Sequence, residues 1–214
     1  MKVLIIGAHP DDEILGVGGT ILKHIQNNDE VNICIVTKAI EPIWDQKYIE
    51  RKVIEQRQVS SLLGIKTRFN LDLPTTQLNT LPHGLINREI EKVVNIIQPD
   101  IIYTHFEGDL NYDHTLVFRA CMVATRPPKH IKLLCFETLS ETEFNNKHFT
   151  PNYWVDITPF IKKKIEAFKI YESEVREYPH PRSPEGIKIL AQKRGMDICT
   201  KYAEAFMTIK DYWK

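Results

Sequence analysis

The sequence predicts an α/β fold of the Rossmann-like type, in which a mostly parallel sheet carries helices on both faces. Short runs of β-branched apolar residues recur along the chain, amphipathic segments lie between them, and Gly or Pro residues mark many of the boundaries. Strands that alternate with helices in this way form parallel sheets covered on both sides. A length of 214 residues suits one buried core, so we expect a single domain over residues 1–214.

The first half of the chain alternates strand and helix patterns. The apolar runs at 3–7 and 31–37 predict buried strands, and 68–73 predicts a weaker one before Pro74. Apolar residues spaced by three or four predict helices over 14–25 and 85–97, the second stopped by Pro99. A further helix over 48–63 should end at Gly64. Gly16, Gly18 and Gly19 weaken the first of these helices but permit close backbone packing.

The second half continues the alternation. Strands are predicted at 100–104, 131–136 and 154–157, and a short helix at 117–124 should end before Pro127 and Pro128. Thr158 and Pro159 resemble an N-cap and a first-turn proline, which predicts a helix from there to about Tyr171. A last helix is predicted over roughly 185–200.

Composition limits the classes of partner. Twenty-eight basic and 28 acidic residues cancel, so the chain has no global field for nucleic acid. No stretch approaches the roughly 20 apolar residues that a membrane span needs, and the run at 3–8 is too short for a signal peptide. The four cysteines form no CxxC pair and are expected to be free buried thiols, as in a reducing compartment. We therefore expect a cytoplasmic protein without a nucleic-acid partner or a membrane span.

An acidic turn follows the first predicted strand. His9, Asp11, Asp12 and Glu13 lie within five residues, and their carboxylates repel one another unless a cation is present. Imidazole nitrogen and carboxylate oxygen both bind zinc, and adjacent side chains in a turn diverge, so one aspartate can bind metal while the other faces a substrate. The alternative is that Asp11 or Asp12 caps the following helix. Glu13 is interpreted as a helix-start residue or a neighbour of the ligands rather than a ligand.

A second polar cluster follows the strand at 100–104. Because the ligand site of such a sheet lies beyond the carboxyl ends of its strands, this cluster should meet the first one. It supplies His105 and His114 as candidates for a third metal ligand, although a single loop histidine can also be an ordinary surface residue. The cluster comprises His105, Glu107, Asp109, Asn111, Asp113 and His114.

A dinucleotide site is the competing interpretation of a glycine-containing turn after a strand. Gly7, Gly16, Gly18 and Gly19 lack the GxGxxG spacing, and the acids in the turn would repel a pyrophosphate. The sequence therefore favours a metal over a nucleotide cofactor.

Residues 6–13, Ile-Gly-Ala-His-Pro-Asp-Asp-Glu, resemble the AHPDDE motif of the LmbE/PIG-L family of zinc-dependent deacetylases. Residues 108–114 resemble the second metal motif of that family, and Pro127, 154–157 and 178–183 resemble one bacterial branch. The resemblance implies that residues 1–214 form one deacetylase domain. It also implies that His9, Asp12 and His114 bind Zn²⁺ or another divalent transition metal, and that Asp11 is the general base.

One position departs from the family pattern. Many members carry a histidine three residues before the last ligand, where this chain has Asn111, which can donate a hydrogen bond but cannot act as a cationic acid. His180, in the proline-rich segment 178–183, is the candidate for the missing catalytic function, with a surface histidine as the alternative. Substrate binding is expected from Asn111. Arg57, Arg126 and Arg182 are further candidates because arginine suits phosphate and sugar contacts, with an ordinary surface or ion-pairing arginine as the alternative for each.

The resemblance implies hydrolysis of an N-acyl group, first of all N-acetyl, on a small amino-sugar conjugate. Two other functions stay open: an amidase that acts on a non-sugar acylated amine, and a metal- or sugar-binding module without activity. A homo-oligomer is a further expectation from the resemblance.

Overall fold

The computed structural model describes residues 1–213, in which strands and helices alternate. The strands are β1 Lys2–Gly7, β2 Glu30–Lys38, β3 Thr67–Pro74, β4 Ile101–His105, β5 Lys132–Phe136, β6 Tyr153–Asp156 and β7 Ala203–Lys210. The helices are α1 Asp12–Gln26, α2 Gln46–Leu63, α3 His83–Ile97, α4 Tyr112–Ala124, α5 Ile161–Lys169 and α6 Pro184–Met196, with a short 3-10 helix at Leu78–Thr80.

The strands form one sheet in the order β3-β2-β1-β4-β5-β7-β6. Strands β1 to β5 are parallel, and β7 runs antiparallel to both of its neighbours. The predicted α/β class with a mostly parallel sheet is confirmed. The chain leaves β1 towards β2 on one side and reaches β4 on the other. This reversal of strand order opens a crevice at the carboxyl ends of β1 and β4, where α/β sheets bind ligands.

Strand β1 is apolar without interruption because both faces of the sheet are covered at this strand. Val3 and Ile5 belong to the core on one face of the sheet, which α1, α2, α5 and α6 cover, whereas Leu4 and Ile6 belong to the core beneath α3 and α4. Both alternating sets of side chains are therefore buried, as expected of a central parallel strand.

Helix α1 packs unusually close to the sheet because of its glycines. A Cβ atom at Gly16 would lie 2.2 Å from the Phe136 ring, and one at Gly19 would lie 2.6 Å from Ile157. The glycines thus allow the close approach that the sequence suggested, which fixes the helix whose first turn carries the acidic cluster.

Several expectations about elements are corrected. Helix α4 begins at Tyr112 rather than near residue 117, so His114 lies in a helix and not in a loop. Helix α5 begins at Ile161, because the Thr158 hydroxyl accepts a hydrogen bond from the Tyr202 amide instead of capping a helix. Strand β7 was not predicted. The last helix also ends earlier than expected, at Met196.

Cys34, Cys121 and Cys135 are free and buried as predicted, but Cys199 is exposed. Between residues 1 and 213, no helix has the length and apolarity that crossing a membrane requires.

Candidate active site

The two polar clusters meet at the carboxyl ends of β1 and β4. His9 lies in the turn after β1, and Asp12 is the first residue of α1. His114 lies in the first turn of α4 and is buried with Asp12. The crevice therefore brings together the three residues that the sequence proposed as metal ligands.

The donor atoms of these residues converge on one point. His9 Nδ1 lies 3.2 Å from His114 Nε2 and 3.5 Å from Asp12 Oδ2, and His114 Nε2 lies 3.5 Å from Asp12 Oδ1. Ligands about 2.0–2.1 Å from a tetrahedral ion are about 3.3–3.4 Å apart. The residues present, two histidines and a carboxylate, thus fit a divalent transition metal in both chemistry and spacing.

Carboxylates orient both imidazoles. His9 Nε2 lies 3.2 Å from Asp113 Oδ2, and His114 Nδ1 lies 2.9 Å from Asp109 Oδ2. When each of these nitrogens donates its proton to the carboxylate, the other nitrogen of the ring presents a lone pair to the common point. Asp113 Oδ2 also accepts the Thr76 amide at 2.6 Å, which fixes the carboxylate itself.

A second group, His105 with Asp109 and His114, also has metal-binding spacing. Its atoms are engaged within the protein, since the Ala8 amide donates to His105 Nε2 at 2.8 Å and the Thr142 hydroxyl donates to Asp109 Oδ1 at 2.6 Å. His105 and Asp109 are buried and do not line the cavity described below. The structure therefore favours His114 over His105 as the third ligand.

The charge states differ within the triad. Burial and the neighbouring His105 lower the pKa of His114 to about 4, which keeps its imidazole neutral. Burial lowers the pKa of His9, but Asp113 and Asp12 outweigh burial and raise this pKa to about 10. Burial raises the pKa of Asp12, yet the nearby histidines hold it well below its usual range. The triad therefore offers the anionic carboxylate of Asp12 and the neutral imidazole of His114, whereas the His9 imidazole is protonated and would release a proton on binding a metal ion.

Asp11 lies beside the triad with an unusual backbone. Its φ of 131° is rare for a residue with a side chain. It occupies the N-cap position of α1, but its side chain makes no capping hydrogen bond. Asp12 does not cap the helix either, because its Oδ2 accepts the His9 amide at 2.7 Å. The helix-cap interpretation of the two aspartates is thus wrong.

The Asp11 carboxylate faces an ionic network. Burial, followed by the charges of Asp12 and Glu174, raises the pKa of Asp11 well above its usual range. The Arg182 guanidinium opposes this shift, with Nη1 3.4 Å from Asp11 Oδ2 and 3.4 Å from Glu174 Oε2. Lys52 pairs with Glu174 at 2.8 Å on the far side. Asp11 is therefore a buried carboxylate with an elevated pKa, the property expected of a general base.

A cavity of about 520 Å³ opens over the triad. Its floor includes His9, Asp11, Asp12 and His114, and one wall is formed by α2 and the segment before it. Trp44 and Tyr48 of that wall lie with ring centroids 6.4 Å apart and planes 28° apart. Glu141 and Arg182 also line the cavity, and Arg182 Nη2 lies 3.3 Å from Glu141 Oε1.

The other predicted binding residues separate into two groups. Asn111 and Arg182 line the cavity. Arg57 is exposed on α2, and Arg126 is exposed just beyond the end of α4, where it donates to the Val123 carbonyl; neither lines the cavity. Both side chains are exposed to solvent away from the cavity, so we assign them no substrate contact.

His180 also lies off the cavity lining. Its Nδ1 accepts the Arg182 amide at 3.1 Å, so the imidazole belongs to the turn that carries Arg182. Of the proline-rich segment, Arg182 and not His180 reaches Asp11. Of the acids that follow β5, Glu141 lines the cavity, whereas Glu137 pairs with Arg194 at 2.7 Å.

Sequence reasoning missed several wall residues, namely Trp44, Tyr48, Lys52 and Glu174. None follows a strand directly, so the strand-end rule does not select them. Lys52 and Glu55 are buried on α2, but their burial follows from the packing of that helix, so no pattern in the sequence selects these wall residues.

Comparison with known proteins identifies the family of this chain. The family model described as PIG-L, GlcNAc-PI de-N-acetylase, matches residues 4–125, more than half of the chain. A diacetylchitobiose deacetylase from Thermococcus kodakarensis is 28% identical over 192 residues, which cover 82% of this chain and 71% of that protein. A probable N-acetyl-alpha-D-glucosaminyl L-malate deacetylase 2 from Bacillus anthracis is 24% identical, with 80% of each chain covered.

Solved structures share the fold. The conserved protein TT1542 from Thermus thermophilus superposes with a TM-score of 0.79 at 22% identity, covering 99% of this chain and 96% of that one. GalB, a 4-carboxy-2-hydroxymuconate hydratase from Pseudomonas putida, superposes with a TM-score of 0.77 at 18% identity, covering 100% and 98%. The fold thus hosts more than one reaction, and the family assignment rests on the matched sequence: this chain belongs to the PIG-L family of GlcNAc-PI de-N-acetylases.

Proposed function

We propose that this protein is a metal-dependent hydrolase that removes an N-acetyl group from an amino-sugar derivative. The observation that carries the proposal is the convergence of His9, Asp12 and His114 on one point, with Asp11 beside that point but outside the ligand set. A site that only binds a metal has no need of a buried carboxylate with a raised pKa next to it. The deacetylase relatives support the same reaction.

His9, Asp12 and His114 would hold the ion, for which we propose Zn²⁺. When bound, such an ion polarises an amide carbonyl and lowers the pKa of a water molecule towards neutrality. The chain's own contribution is to orient the ligands: Asp113 and Asp109 fix the two imidazoles, so that both ligand nitrogens face the same point.

Asp11 is proposed as the general base. Its carboxylate takes the proton of the attacking water at one oxygen and returns it to the nitrogen of the leaving amine. Arg182, 3.4 Å from Asp11 Oδ2, holds the carboxylate at the cavity wall and opposes the rise in its pKa that burial causes. Because the pKa of a good base lies near the working pH, the opposing shifts serve the reaction.

Asn111 is proposed to contact the amide group of the substrate. Its Oδ1 accepts the Asp113 amide at 3.0 Å and caps α4, which leaves Nδ2 as a donor on the cavity lining. The positively charged group nearest to Asp11 in the cavity is Arg182, whereas His180, the candidate from the sequence, does not line the cavity. We propose Asn111 and Arg182 as the donors around the reacting centre, in place of a histidine.

The aromatic wall supports a sugar substrate. Trp44 and Tyr48 line the cavity, and the C–H face of a pyranose can pack against an aromatic ring of this wall. The carboxylates of Glu141 and Glu174, with Asn70 and Asp72, supply acceptors for hydroxyl groups on the remaining lining. This combination of apolar faces and acceptors favours a sugar over a purely aliphatic acylated amine.

The test is a screen for acetate release with Zn²⁺-loaded protein. N-acetylglucosamine, diacetylchitobiose, a nucleotide-linked N-acetyl sugar and a phospholipid-linked one would be compared with N-acetylated amino acids. We expect turnover of at least one sugar, loss of turnover with a chelator and recovery with added metal. Turnover of the amino acids alone would replace the sugar assignment with a general amidase, and no turnover with stoichiometric metal would favour a binding module.

A further inference from the structure

Glu13, the residue after the two aspartates, is completely buried yet is not among the ligands. Its Oε2 accepts the backbone amide of Asp11 at 3.0 Å. Its Oε1 accepts the Arg68 guanidinium at 3.0 Å and the Tyr171 hydroxyl at 2.6 Å. A carboxylate held from three directions is fixed in place, so it can in turn fix whatever it contacts.

What Glu13 contacts is a strained peptide of the site. Asp11 has a φ of 131°, a conformation that costs a residue with a side chain on the order of 1–3 kcal/mol. An aspartate at an N-cap normally relaxes to extended backbone and turns its carboxylate onto the helix amides. Here the side chain makes no capping bond and faces Arg182 in the cavity instead.

We infer that Glu13 is the positioning residue of the proposed base: it anchors the Asp11 amide, holds the strained backbone, and so keeps the Asp11 carboxylate over the metal ligands rather than on the end of α1. The inference rests on the proposed function for the role of Asp11, but the anchoring contact itself does not. Arg68 from β3 and Tyr171 from beyond α5 then act through Glu13, which links the site to two distant segments.

The Glu13→Gln variant tests the contact with little change of shape. A glutamine presents one acceptor and one donor group where Glu13 presents two acceptors. Since Arg68 and Tyr171 favour the carbonyl oxygen, the NH₂ group would face the Asp11 amide, donor against donor. The peptide would lose its anchor while the core stays filled.

Glu204→Gln is the matched control. Glu204 is also buried, accepts amides of the same helix, those of Gly19 and Thr20, and pairs with a buried cation, Lys164, at 2.6 Å. The same substitution there should destabilise the fold by a comparable amount, but it acts two turns further along α1, away from Asp11. An effect that is specific to the base should appear in Glu13→Gln and not in Glu204→Gln.

Two measurements on Zn²⁺-loaded protein decide the matter. Amide hydrogen exchange at Asp11, read by NMR without substrate, should accelerate at least about tenfold in Glu13→Gln and stay unchanged in Glu204→Gln. With a sugar that the wild type deacetylates, kcat should fall about 100-fold in Glu13→Gln, the size expected for a misplaced group, with KM and bound zinc unchanged. Glu204→Gln should keep kcat within about threefold.

Unchanged Asp11 exchange in Glu13→Gln would overturn the anchoring contact, whereas an equal kcat loss in Glu204→Gln would overturn the positioning role. Accelerated exchange with normal kcat would overturn the positioning role. If the wild type turns over no N-acetyl compound, the proposed function fails, while the exchange measurement still decides the contact. Should Glu13→Gln not fold, Arg68→Lys loosens the same carboxylate, and a smaller loss of both Asp11 protection and kcat is expected.

Discussion

His114 Nδ1 lies 2.9 Å from Asp109 Oδ2, and this pair determines which nitrogen of His114 faces the proposed metal position. Asp109 is itself held by the Thr142 hydroxyl at 2.6 Å, so the carboxylate cannot turn away. We expect Asp109→Asn to weaken Zn²⁺ affinity by about 10- to 100-fold, the usual effect of removing a carboxylate behind a ligand histidine. Isothermal titration of metal-free protein measures this affinity.

Asp100→Asn is the control for that variant, because Asp100 is exposed and lies just before the other end of β4. It should bind Zn²⁺ as the wild type does. Equal affinities for all three proteins would show that Asp109 does not orient the ligand.

The two groups with metal-binding spacing make different predictions. His9 belongs to one group, His105 to the other, and His114 to both. We expect His9→Ala to lose stoichiometric zinc. His105→Leu should keep zinc but lose about 1–3 kcal/mol of unfolding free energy, because leucine offers the buried Ala8 amide no acceptor. Metal analysis after dialysis measures the zinc content, and urea denaturation measures the unfolding free energy. Loss of zinc in the His105 variant, with zinc retained in His9→Ala, would reverse the assignment.

How much of this fold can be predicted from the sequence depends on how far apart along the chain the interacting residues lie. The buried strand β1 and the residues that follow it are local in sequence, so His9 and Asp12 could be proposed directly. Strand β7 pairs with β5 and β6, which lie far away along the chain, and it contains the buried charge of Glu204. Its pattern therefore lacks the apolar run by which the other strands were recognised.

The same distinction applies within the site. Arg57, Arg126 and Arg182 are equivalent candidates in the sequence, and only the folded positions show that Arg182 reaches Asp11. The aromatic wall depends on the packing of α2 over the crevice, where Lys52 meets Glu174 from a segment more than 100 residues later. Such long-range contacts correspond to no local motif in the sequence.

Asp11→Asn separates binding from catalysis. Asparagine keeps the size of the side chain but cannot accept a proton from water, so kcat should fall by about 10²- to 10⁴-fold. Zinc content should stay stoichiometric, because Asp11 is outside the ligand set. Steady-state kinetics on the substrate found in the screen, with metal analysis of the same sample, test this prediction. A variant that turns over normally would exclude Asp11 as the base.

Gly16→Ala tests the close packing of α1. The added methyl group would lie 2.2 Å from the Phe136 ring, so the helix or the ring must move. We expect a loss of about 1–3 kcal/mol of unfolding free energy, as for other overpacked cores. Gly84→Ala in α3 is the control, since an added Cβ meets no atom within 4 Å there. That variant should gain about 0.5–1 kcal/mol from helix propensity, and destabilisation of both would contradict the packing argument.

Trp44→Ala tests the aromatic wall as a binding surface. Trp44 lines the cavity but has no contact with the metal ligands, so its loss should raise KM about three- to tenfold and change kcat little. Ile43→Ala removes an exposed apolar side chain one residue away that does not line the cavity, and it should leave both constants unchanged. The ratio of the two KM values, measured with the same sugar, isolates stacking from any general effect on this segment. A KM for Trp44→Ala equal to that of Ile43→Ala would mean that the sugar binds elsewhere in the cavity.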